Sequence, residues 1–172
     1  MALDYLMGML TKAMEKIMAN LLPKTGQTVE YYPGDDGTYQ AGWEGVRFVD
    51  NGDGTVTDNA TGLMWPKDWT DFSPYESRKN WEDTIDYLEG LTLFGYSDWR
   101  MPNAYELLSL FNPGVRPYNT FAIFTNVEDL GFWSSSTPSN SPTAAYAVYP
   151  QYLWTYDEWK VDLFYGVPVR KI

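Results

Sequence analysis

Residues 50–65 read "DNGDGTVTDNATGLMW", and no other run limits the fold so tightly. Its first thirteen positions hold three aspartates, two asparagines and three glycines. Asn-Gly and Asp-Gly steps accept positive φ at little steric cost, and Asx side chains bond their own backbone two residues on. On either side "VRFVD" and "TVT" alternate as half-buried strands do. The run therefore predicts a β-hairpin turning at "NGDG", with a second turn at "DNATG" that delivers a third strand at "GLMW". The same composition also suggests a calcium loop. An EF-hand places oxygen ligands at its first, third and fifth positions, glycine at the sixth and glutamate at the twelfth. With Gly54 in the sixth place, Asn51 and Asp53 fall correctly, but Val49 and Ala60 take the two terminal ligand positions. Turn chemistry explains the run, and no metal is expected.

The rest of the composition narrows the chemistry. The 172 residues include no cysteine and no histidine. Thiolate nucleophiles, imidazole bases and nearly every zinc or copper site are thereby removed. Asp83 and Asp86 lie one helical turn apart, as an acid/base pair could, but they fall off the apolar stripe of their helix and read as solvated. No phosphate loop, nucleophile elbow or dinucleotide fingerprint is present. No enzymatic activity, catalytic residue or cofactor is expected. A net charge of −11 opposes nucleic-acid phosphates and anionic membrane surfaces.

Residues 1–22 read as an amphipathic helix. Leu3, Met7, Leu10, Met14, Ile17 and Leu21 keep a heptad spacing, and Pro23 stops it. That seam either packs on its own domain or joins subunits into a homo-oligomer. The segment is too short and too charged to insert in a membrane, and it lacks the basic start of a signal peptide. "LPKTG" matches a cell-wall sorting pentapeptide but sits before a polar stretch, and "NAT" at 59–61 spells a glycosylation acceptor; both read as chance matches. Nothing here specifies a location. Residues 23–45 read as a linker with one short strand at "TVEYY". In the domain over 46–172, "NWEDTIDYLEGL" is a helix capped by Asn80 and ended by Gly90, with Trp81, Ile85 and Leu88 on one face. "NAYELLSLF" is a second helix, with Asn103 and Glu106 at capping-box spacing. The last forty residues carry no helical period. The expected class is α+β, two helices on a largely antiparallel sheet, preceded by the N-terminal helix.

Three stretches together resemble a known family: "RFVDNGDGTVTDNATGLMWPKD" at 47–68, "LTLFGYSDWRMPNAYELLSL" at 91–110, and "FWSSST" at 132–137 with a closing "PVR" at 168–170. They look like the C-terminal domain of the Legionella collagen-like adhesin, over about 125 of the 172 residues. "LPKTGQT" and "GDDGTYQAG" look like the segment that often precedes that domain. The family is similar to C-type-lectin-like folds of the formylglycine-generating-enzyme kind, whose "RLPTEAEWE" signature "DWRMPNAYELL" matches in its Arg, Pro and following helix. That resemblance implies a C-type-lectin-like fold with Trp99, Arg100 and Pro102 in structural roles. Copper oxidase activity should not transfer without cysteines. Calcium-dependent sugar binding should not transfer without the "EPN" or "QPD" and "WND" motifs. The sulfated polysaccharides bound by the adhesin branch are disfavoured by the charge of −11.

A subgroup of similar domains, the variable proteins of diversity-generating retroelements, carries its hypervariable residues near the C-terminus. Here "PVR" and Lys160 match the usual end of those proteins. Positions 146–165 hold eight aromatic residues, an unusual density for strand and loop. The resulting expectation is a recognition module for a protein or cell-surface ligand. Its contacts would be Tyr152, Trp154, Tyr156, Asp157, Trp159, Asp162, Phe164 and Tyr165. The alternative is an adhesin-like carbohydrate-binding or structural assembly subunit without diversification.

Overall fold

Turn chemistry starts the domain. A computed structural model describes residues 5–9, 22–72, 78–112, 114, 121–127 and 130–172. Strands β1 (Phe48–Asp50), β2 (Thr55–Asp58) and β3 (Leu63–Pro66) form an antiparallel meander in which Val49 faces Thr57 and Val56 faces Trp65. In the first turn Asn51 N–H donates to Thr55 O at 3.0 Å. The Asp50 and Asp53 carboxylates take the N–H groups of Gly52 and Thr55, both at 2.9 Å. Asp50 also pairs with Lys67 at 2.7 Å. Gly54 adopts φ +95, and a Cβ there would lie 2.3 Å from the Phe94 ring, so both its conformation and its packing demand glycine.

Between residues 23 and 45 the structure differs from expectation. "TVEYY" forms no strand; the regular element is the short helix α1 (Asp36–Tyr39). The reason is Asp35. Its carboxylate caps α1 through Thr38 N–H at 3.2 Å, and it also takes Tyr31 N–H at 3.0 Å and the Gln27 amide at 2.8 Å. A backbone donor already bonded to a side chain is lost to a strand ladder. Residues 5–9 are helical, while the remainder of the heptad seam (Leu3, Leu10, Met14, Ile17 and Leu21) lies outside the described residues.

Both expected helices form. Asn80 caps α2 (Trp81–Glu89) by accepting from Asp83 N–H, and Asn103 and Glu106 close a full capping box on α3 (Ala104–Leu108). The sheet, expected as one, is two. β1-β2-β3 gains β7 (Arg170–Lys171) as its fourth strand, and β4 (Phe132–Trp133), β5 (Ala144–Tyr149) and β6 (Trp154–Trp159) make a second antiparallel sheet.

The second sheet is buried on both sides along β5. Val148 belongs to the main core with Trp65, Leu107, Leu110 and Val169, whereas Ala145 and Ala147 pack in a second cluster with Leu88, Met101 and Trp133, covered by Trp81 and Ile85 of α2. Each fully buried Leu or Val contributes about 1.5–3 kcal/mol. The small alanines on β5 leave room for α3, the helix packed against that strand. Segment 164–170 then threads between the sheets, bridging Lys79 at Phe164, Phe132 at Tyr165 and Arg100 at Val169. β6 is left as an edge strand on this doubly braced support.

Candidate functional site

The register of β5 and β6 sorts the C-terminal residues by face. Ala147 faces Tyr156, Tyr149 faces Trp154, Tyr146 faces Asp157 and Ala144 faces Trp159. Successive strand residues point to opposite faces, so Trp154, Tyr156 and Glu158 share one side and Thr155, Asp157 and Trp159 the other. Tyr152, Trp154, Tyr156 and Trp159 are 65%, 62%, 49% and 62% exposed. Such values are unusual for large rings on a sheet whose neighbouring strand is mostly buried. Val161 and Leu163 extend the exposed apolar surface past the strand end, and being aliphatic they add nothing to the aromatic excess that marks this segment in the sequence.

The surface has a stiff backing. Tyr149 and Tyr156 meet edge to face with centroids 5.5 Å apart, and the Tyr149 hydroxyl donates to Glu158 Oε1 at 2.7 Å. Burial, then the Glu158 carboxylate, pushes the Tyr149 phenol above its ordinary value, so it stays a protonated donor. Phe164 is half-buried beneath, 4.8 Å from the Trp133 ring and 6.0 Å from Tyr149. At the far end of β6, Trp81 N–H donates to Lys160 O at 2.9 Å and the Lys160 ammonium sits 4.0 Å over the Trp81 ring. Trp81 Nε1–H is itself held by Ser134 O at 2.9 Å.

Not every expected contact residue reaches this surface. Tyr165 is 5% exposed and belongs to the main core, with its ring 5.9 Å from Phe132. Trp133 N–H donates to Tyr165 O at 2.8 Å. Its place among the contacts is corrected: segment 164–170 runs between two layers, so alternation buries Phe164 toward one core and Tyr165 in the other. Asp157 is exposed and Asp162 half-buried. The Asp162 N–H closes a turn onto Trp159 O at 2.8 Å. Neither carboxylate makes a side-chain hydrogen bond or salt bridge among the described residues, which leaves both for a ligand.

Hollows also occur among the described residues. One of about 340 Å³ is lined by Thr25, Gln27, Tyr31, Asp36 and Gly114. One of about 390 Å³ lies between Leu22–Thr25 and Leu108, Phe111 and Leu153. One of about 180 Å³ is lined by Lys24, Trp43, Arg47 and Phe121. None gathers carboxylates, and no group of three or more acidic residues placed to hold a metal occurs among the described residues. A second exposed aromatic group, Tyr31, Tyr32 and Tyr39, flanks α1. Its only sequence signal was the "YY" pair, which the strand reading of "TVEYY" absorbed. No described helix is long and apolar enough to cross a membrane.

The motif residues meet away from this surface. Arg170 of "PVR" bonds Asp98 at 2.6 Å, stacks 4.0 Å over Tyr96 and approaches Met64 Sδ at 3.4 Å, which ties the last motif to the second and the first. Trp99 is buried with its indole N–H on Leu93 O, and Arg100 grips Glu106. These residues build the scaffold that carries β6. A comparison with curated proteins returned no match. Residues 54–170, 117 of the 172, match the model of the Lcl C-terminal domain, and the chain belongs to that family, the one named for the Legionella collagen-like adhesin.

Proposed function

We propose that this chain is a non-enzymatic recognition module of C-type-lectin-like fold that binds a protein or cell-surface ligand through β6 and the loops at its ends. The observation that carries the reading is a set of four large exposed rings, Trp154, Tyr156 and Trp159 on an edge strand braced by two cores and Tyr152 in the turn that leads into it. Rigid aromatic side chains give contact area at low entropic cost, and Asp157 and Asp162 add polar selectivity. The adhesin-like family of the domain supports binding over catalysis. So does the absence of His and Cys, together with the exposed setting of Asp83, whose carboxylate takes the Asn80 amide at 2.8 Å.

The test is a binding screen on arrayed cell-surface proteins and glycans, run with the native chain and with Trp154→Ser/Tyr156→Ser/Trp159→Ser. The variant should keep its circular dichroism spectrum and lose at least tenfold in affinity for every ligand found. A variant that binds as the native chain does defeats the reading. Glycan hits alone would favour the adhesin-like carbohydrate-binding alternative, which the family also supports.

The finer proposal is that the C-terminal segment is diversified by a retroelement. A near-copy of the coding 3′ end, differing mainly at adenines and beside a reverse-transcriptase gene, is the expected genomic observation. Its absence would leave an invariant module.

A further inference from the structure

The phase of the β5–β6 ladder determines which backbone groups of β6 are spoken for. Lys160 N–H donates to Thr143 O at 3.0 Å. Antiparallel ladders alternate between bonded and non-bonded pairs, so the residues of β6 facing β5 are Trp154, Tyr156 and Glu158. The partner strand agrees: Tyr146, opposite Asp157, spends its N–H on Ser136 O and its C=O on Ser134 N–H, both on the β4 side. Thr155, Asp157 and Trp159 therefore turn their backbone groups away from the sheet. Trp159 O accepts from Asp162 N–H at 2.8 Å, while the N–H of all three residues and the C=O of Thr155 and Asp157 meet no backbone partner among the described residues.

An edge of this length, flanked by exposed rings on both faces, is a template for another strand. Charge decides what kind. Asp157 is the central outward residue and carries an unpaired carboxylate. Asp162 follows the strand end, and the chain as a whole carries −11. Opposite charges directly across an antiparallel pair are favourable and like charges are not. A second copy docked two-fold about Asp157 would set carboxylate against carboxylate and add another −11, so the edge discourages self-pairing.

We propose that β6 takes an extended segment of a partner protein as the fourth strand of the β4-β5-β6 sheet, in antiparallel register, with a Lys or Arg opposite Asp157. Residues two places either side of that base would pack on Thr155 and Trp159, and the intervening ones on Tyr156 and Glu158. The proposal rests on the reading of β6 as the recognition surface and adds the binding mode and the partner's chemistry.

The experiment selects twelve-residue peptides from a random displayed library on the full chain and titrates one enriched synthetic peptide into ¹⁵N-labelled protein. The expected result is a consensus with one central basic residue among β-branched or aromatic ones. Amide exchange at Thr155, Asp157 and Trp159 should slow at least tenfold, while Trp154, Tyr156 and Glu158, already bonded to β5, change little. An N-methyl group on the peptide residue opposite Asp157 should abolish binding, and Asp157→Lys should exchange the preference for a central Lys to a central Glu. Peptides that shift the ring resonances without protecting the odd-numbered amides would overturn strand addition while leaving the aromatic surface in place. Failure of the library to enrich, or mutual protection in a homodimer, overturns it as well.

Discussion

Glu106 holds two structures at once. Its carboxylate accepts Asn103 N–H at 2.8 Å to close the cap of α3, and Arg100 grips it at 2.9 and 2.7 Å. Burial pushes this carboxyl up, but the Arg100 hydrogen bond, the Asn103 N–H and the arginine charge outweigh that and hold it below the ordinary value. A folded-state pKa lower than the unfolded one means that the unfolded chain takes up its proton first as the pH falls. The stabilisation is therefore complete above the ordinary glutamate range and is lost as pH drops through the lowered value. Glu106→Gln should cost about 1–2 kcal/mol at neutral pH, from a weakened cap and a lost charged bond. The gap between the two proteins should narrow as the pH falls below the ordinary glutamate range. Thermal unfolding of both across that range is the measurement. A gap that stays constant with pH would assign the cost to shape rather than charge.

At the scale of elements, one buried pair fixes the first hairpin to α3. Asp58 on β2 is fully buried and takes Arg47 Nε and Nη2 at 3.0 and 2.8 Å, while Nη2 also reaches Ser109 O at 2.8 Å just past α3. The guanidinium lies 4.3 Å from the Phe48 ring centroid and 5.0 Å from that of Phe121. Removing one member of such a pair strands the other charge, so Asp58→Ala should destabilise by about 3–5 kcal/mol. Denaturant midpoints read this, and replacing both residues with apolar ones should recover part of the loss. If the single variant costs less than about 1 kcal/mol, the pair is not what anchors the hairpin. Nothing in the sequence pairs Arg47 with Asp58 across the hairpin. What was legible was local: Asn80, Asn103 with Glu106, and the "NGDG" turn act on groups within four residues of themselves. The same locality misled at "TVEYY", where Asp35 lies beyond the strand-like run and takes its donors. The split into two sheets, and the burial of Tyr165 one position beyond half-exposed Phe164, depend on segment 164–170 returning between distant layers. No window of sequence around Tyr165 contains that information. The exposed rings of β6 were readable as an excess of aromatics, but which of them faced outward followed from the register with β5.

For the whole molecule, charge and exposed apolar surface oppose each other. At neutral pH each chain carries a formal charge of −11, which opposes association of copies through a surface where Trp154, Trp159, Val161 and Leu163 are at least half exposed. The sequence pI is near 4.3. As pH falls toward that value the net charge approaches zero and the long-range repulsion fades. Association through that edge should then emerge. Light scattering of dilute protein, stepped from neutral pH down to the pI, should rise steeply for the native chain. Trp154→Ser/Tyr156→Ser/Trp159→Ser leaves the formal charge unchanged, since tyrosine is neutral across this range, and should show a rise several-fold smaller. A chain lacking residues 1–22 but retaining the native rings separates the heptad seam from the edge strand: it should scatter as the native chain does. Equal scattering by the ring variant and the native chain would place the adhesive surface elsewhere, with the exposed Tyr31, Tyr32 and Tyr39 group as the next surface to replace.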